Sequence, residues 1–121
     1  MKYMLLIYGN EELWQSFPQE EFERIVAETE AHQAELRANG EFVGAWGVAD
    51  QVMAKTVHLA DGVPVVTDGP YLEAKEYLAS FDIVDCETLE RALEIAARVP
   101  FARLGTVEVR PLMEESDSND L

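Results

Sequence analysis

In the stretch from Val66 to Tyr77, VTDGPYLEAKEY, an apolar run breaks into a turn dense in groups able to do chemistry. Asp-Gly-Pro is turn punctuation, because glycine tolerates positive φ, while proline fixes its own φ and biases its predecessor towards extended geometry. Asp68, Glu73, Lys75, Glu76 and the two tyrosines Tyr71 and Tyr77 then crowd into one short segment. Asp68 would serve as a general base if the loop held it against an apolar cleft that raised its pKa, with Lys75 or Arg110 gripping an anionic substrate. Gly69, Pro70, Tyr71, Glu73 and Glu76 would complete a ligand-binding loop. A structural role competes with this one: a turn aspartate commonly accepts hydrogen bonds from backbone N–H groups two or three residues on. The flanking charges would then be a solvated turn whose salt bridges contribute little.

Asp82 and Arg110 are the other candidates. Acids are disfavoured in strands, so an aspartate within the run Tyr77 to Asp85 implies a wet face or a paired carboxylate. Cross-strand pairing with Arg110, or a joint grip on a polar ligand, would satisfy it. His32 reads as a partly covered helix histidine and His58 as a solvent-facing one. With no HxH or HExxH spacing, no metal site is expected, and with no glycine-rich phosphate loop or nucleophile elbow no cofactor is implied. Cys86 lies between Asp85 and Glu87, which would raise rather than lower its pKa.

At 121 residues the chain reads as one domain. Its formal net charge of −15 argues against nucleic acid and anionic membranes as partners, and leaves a basic protein or a cationic ligand open. The opening MKYMLLIYG reads as a first strand and not as an export signal, since Gly9, Asn10, Glu11 and Glu12 follow it. A lone cysteine fits a reducing compartment, so a cytoplasmic location is expected.

The elements that must position these groups follow from periodicity. Lys2 to Tyr8 is apolar on both faces and reads as a central strand. Gly9 to Phe17 reads as a loop. Pro18 opens a helix whose stripe of Phe22, Ile25, Val26, Thr29, Gln33 and Leu36 ends at Gly40. Phe42 to Val48 is a strand, with Trp46 in core or at a dimer interface. Asp61-Gly62 turns a hairpin between Ala54–Leu59 and Val63–Thr67. Tyr77 to Asp85 is a strand, Thr88 caps a short helix, and Thr106 to Leu112 closes the sheet. The order β-α-β, hairpin, β-α-β implies an α+β, ferredoxin-like antiparallel sheet with both helices on one face. Ser80, Asp82, Glu108 and Arg110 would make the other face partly polar, as a wet cavity between two subunits requires. Residues 113–121 form an acidic tail with nothing to bury, expected to be disordered.

With VTDGP, KE, FDIVD and VEVRP in order, and MKYMLLIYG and LRANG ahead of them, residues 1–112 resemble the YCII-related proteins in the branch named for its DGPF motif. Tyr71 stands where that motif has phenylalanine. The resemblance implies a dimeric α+β barrel, hence a homodimer, with a cleft near the interface that binds a small polar metabolite. Acid–base chemistry of an isomerase or lyase type by Asp68 would suit it. The alternative implied by the resemblance is a non-catalytic accessory or sensory protein, linked to an extracytoplasmic-function sigma factor system through a sigma-factor-related protein partner.

Overall fold

The computed structural model describes residues 1–114, so all but the first two residues of the expected acidic tail lie outside it. Strand β1 (Lys2–Gly9) leads through a short helix α1 (Glu11–Ser16) into the long helix α2 (Gln19–Ala38) and strand β2 (Phe42–Gly47). A hairpin of β3 (Lys55–Ala60) and β4 (Val63–Asp68) follows, then β5 (Tyr77–Asp85), α3 (Leu89–Ala97) and β6 (Thr106–Pro111). The main sheet is antiparallel in the order β2-β5-β1-β6, and the hairpin forms a separate two-stranded sheet. This is the expected α+β, ferredoxin-like arrangement.

Each boundary has a local cause. Asn10 caps α1 by accepting from the Leu13 N–H at 2.8 Å, so a segment expected as loop becomes helix. The Trp14 indole on that helix packs against Gly9, where a Cβ would come within 2.4 Å of the ring. Gly40 at φ +79 ends the region after α2, and Asp61 and Gly62, both at positive φ, make the tight turn of the hairpin. Thr88 caps α3 by accepting from the Arg91 N–H.

Tyr3, Leu5, Ile7 and Val84 form the core with Leu36 of α2 and Ala92, Ile95 and Ala96 of α3. Both long helices therefore cover the same sheet face. The opposite face carries Met4, Leu6 and Tyr8 of β1 beside Phe81 and Ile83 of β5, and Trp46 stacks on Phe81 with ring centroids 5.3 Å apart. Trp46 also lies over Gly44, where a Cβ would meet the ring at 2.6 Å, which accounts for that glycine in mid-strand.

The register corrects one expectation about this face. Ser80 and Asp82 stand opposite Ile7 and Leu5, on the helix-covered side, whereas Glu108 and Arg110 stand opposite Leu6 and Met4 on the open side. The four polar residues do not share a face, and Asp82 and Arg110 do not pair.

Gly105 enters β6 where any side chain would strike backbone: a Cβ would sit 2.3 Å from the Tyr8 carbonyl oxygen. Gly105→Ala is expected to cost about 1–3 kcal/mol in urea unfolding, the usual scale for forced overpacking. Gly47→Ala, with no atom within 4 Å of its Cβ position, should leave the midpoint unchanged or slightly higher. Equal midpoints for Gly105→Ala and wild type would contradict this account of the β6 entry.

Candidate functional site

The Asp-Gly-Pro turn is pinned to the start of the hairpin. Gly69 donates its N–H to the Ala54 carbonyl at 2.8 Å, and its own carbonyl accepts from the Thr56 hydroxyl at 2.8 Å. Gly69 sits at φ +95, a conformation that a side chain would oppose. From the other side Asn10, already the cap of α1, donates to Glu76 at 3.0 Å. The loop is thus suspended between the hairpin and the end of β1.

Beneath it lies a cavity of about 490 Å³ whose walls include Tyr8, Val48, Met53, Pro70, Leu72, Tyr77 and Leu78, with Asp50 and Glu76 among its few charged residues. Its size falls within the range of small-molecule sites, which combine apolar walls with a few placed polar groups. Asp50 is held by accepting the Val52 N–H at 2.9 Å, so the 3-10 turn Gln51–Met53 carries it to the rim. A wider, more polar hollow of about 760 Å³ adjoins the cavity and shares Asp50, Gln51, Pro70 and Ala74 with it. Burial raises the pKa of the Tyr77 phenol, and the nearby charges of Asp50 and Glu11 raise it further. Burial likewise raises that of Tyr8, whose hydroxyl donates to Glu108 at 3.3 Å.

The expected site residues divide. Asp68, Gly69, Pro70, Glu73 and Lys75 come together around the polar hollow, and Pro70 and Glu76 reach the cavity. Tyr71 is 83% exposed and lines neither. Asp68 lacks the apolar surroundings that a general base needs: its side chain is 87% exposed and is ion-paired to Lys55 across the hairpin. Nor does its carboxylate bond to the backbone of the turn; the lysine takes that place. Arg110 is exposed on the open sheet face. Sequence reasoning missed Tyr8, Asp50 and Met53. The available signal was an Asp followed by Gln-Val-Met between two strands, where a capped turn was to be expected.

Asp82 is the unusual carboxylate. It stands between Leu5 and Ala45 on the helix-covered face, with no hydrogen-bond or ion-pair partner among the described residues. Burial pushes its pKa from 3.8 up to about 6. His32 is buried between α2 and the Val99–Arg103 turn, with Nε2 unpartnered among the described residues. Burial, then the Arg98 charge, lowers its pKa. Among the described residues no three His, Cys, Asp or Glu side chains are grouped to hold a metal ion, and no helix is long and apolar enough to cross a membrane.

These shifts act on stability in opposite directions. The raised Asp82 pKa means that the folded state binds its proton more tightly than the unfolded chain, so ionised Asp82 destabilises the fold above pH 6 and this cost fades as pH falls towards 3.8. The lowered His32 pKa withdraws stability as pH falls below its unfolded value of 6.5. Asp82→Asn should therefore raise unfolding stability at pH 8 by up to about 3 kcal/mol, with the gain shrinking to near zero by about pH 3. A gain independent of pH in thermal or urea melts would show that ionisation of Asp82 is not its source.

Comparison with known proteins places the chain in a family. The model of the YCII-related domain matches residues 1–116. An uncharacterised protein of Rhizobium meliloti (strain 1021) is 32% identical over 114 residues, covering 93% of this chain and 92% of the relative. The chain belongs to the YCII-related family.

Proposed function

We propose that the protein binds a small organic molecule in the cavity beneath the Asp-Gly-Pro loop. The observation that carries this reading is the cavity itself: about 490 Å³, mostly apolar walls, and two carboxylates and two phenols placed along it. The loop's double attachment through Gly69 and Asn10 holds the walls in place before a ligand arrives, which lowers the ordering cost of binding. Proton transfer by Asp68 is not part of this reading, because its carboxylate is solvated and tied to Lys55.

The open sheet face supports the further proposal that two copies associate through it. Met4, Leu6, Phe81, Ile83 and Trp46 make a contiguous apolar surface that none of the helices among the described residues covers, and Trp46 is 48% exposed. A strongly acidic chain resists self-association, and this patch lacks carboxylates at its centre, so it is where two such chains can meet at least cost. Sedimentation at micromolar concentration should give twice the 13.6 kDa chain mass, and a monomer would overturn the association.

For the cavity, purified protein mixed with a cell metabolite extract and recovered by ultrafiltration should retain small molecules detectable by mass spectrometry. Ala54→Trp and Ala74→Trp place an indole at the cavity wall and should lose them, with folding checked by circular dichroism. Asp68→Asn should keep them. Retention by both tryptophan variants, or by no form of the protein, would remove the cavity as the binding place.

A further inference from the structure

The proposed cavity has a sign of charge, and resting on the small-molecule reading above we infer that its ligand is an organic cation: a protonated amine, or similar nitrogen cation, on an apolar body.

Three features carry this. First, the cavity lining contains Asp50 and Glu76 but no lysine, arginine or histidine. Second, the adjoining hollow adds Glu11 and Glu73 against Lys75, with Asp68 neutralised by Lys55, so the approach is negative as well. Lys55, the nearest further cation of the hairpin, is consumed by Asp68. Third, the walls bring Tyr8 and Tyr77 to the same space, and phenol rings attract a cation at their faces. An anion would meet repulsion along the whole entry and find no fixed cation inside. A neutral molecule would gain the apolar walls but leave the carboxylates unused.

The carboxylates are also placed rather than merely abundant. Asp50 is fixed by its own 3-10 turn through one oxygen, with the other left to accept from a ligand. Glu76 is held through one oxygen by Asn10, in the same manner. Each therefore offers an acceptor whose direction is set before binding, while its carboxylate stays open to solvent and accessible from the entry.

Probes built on one phenylethyl body test this. 2-Phenylethylamine, 2-phenylethanol and 3-phenylpropionate share an aromatic body and differ in the charge of the head. Titrated into wild-type protein at pH 7.5 and low salt, with NMR chemical shifts as the readout, the amine should bind at least about tenfold tighter than the alcohol, and the carboxylate more weakly still. Asp50→Asn and Glu76→Gln keep the acceptor oxygens that cap the turn and meet Asn10, so the fold should be retained. In the double variant the amine's advantage over the alcohol should fall to less than about threefold.

Equal affinity of amine and alcohol in wild type, or an advantage that survives the double variant, overturns the cation inference while leaving the cavity reading standing. Failure of all three probes to shift any cavity resonance counts against the cavity reading and the inference together.

Discussion

Between Ile7 and Tyr8 the pairing of β1 with β5 skips one residue: Ile7 stands opposite Ser80, and Tyr8 opposite Leu78. Up to that skip, alternation sends Tyr3, Leu5 and Ile7 to the helices and Met4 and Leu6 to the open face. Beyond it, the bulge turns Leu78 to the same side as Tyr8, where strict alternation would have placed it with Ser80. Tyr8 and Leu78 are both walls of the cavity. The carbonyl of the skipped residue, Ala79, still finds a donor in the Val48 N–H at 2.9 Å, so the bulge leaves that acceptor satisfied and draws the chain after β2 towards the same place. The irregularity thus sets Leu78 beside Tyr8 on the cavity wall without disturbing the core.

Much of the fold is legible in the sequence because its signals are local. The Asp61-Gly62 turn, the Thr88 cap, the stop at Gly40 and the alternation of Tyr77 to Asp85 each depend on few residues and known backbone preferences. Helix α1 is less legible, since Glu11 to Ser16 is too short for periodicity to show and forms on the strength of the Asn10 cap and the seat of Trp14 on Gly9. The site is less legible still. Gly69 and Pro70 mark the loop and Asp50 ahead of Gln-Val-Met marks a capped turn, but Tyr8 and Leu78 reach the site through a bulge and tertiary folding, which have no short-range signature.

The case of Asp82 shows where alternation alone misleads. It correctly groups Ser80, Asp82 and Val84 on one face of β5, but does not say which face of the sheet the helices cover. A carboxylate argues for the wet side, and the register puts it on the other, beside Leu5. The fold accepts the cost because the core around it is strong: Leu5, Val84 and Ile95 are almost fully excluded from water. Elsewhere the acidic chain places its carboxylates where solvent or arginine can meet them, as with Glu41, which accepts both Arg91 Nε at 2.9 Å and Arg91 Nη2 at 2.7 Å.

The same contrast separates the two kinds of aspartate near the loop. Asp68 sits in the motif that the eye picks out, yet its charge is spent on Lys55 and its side chain faces solvent, so it joins the two strands of a hairpin whose isolated stability would be marginal. Asp50 sits in no motif, and its charge is unpaired among the described residues at the rim of an apolar space. Chemistry needs a group whose charge is both directed and unspent. By that criterion the Asp-Gly-Pro turn is the frame of the proposed site, and Asp50, held by its own 3-10 turn, and Glu76, held by Asn10, are the groups directed into it.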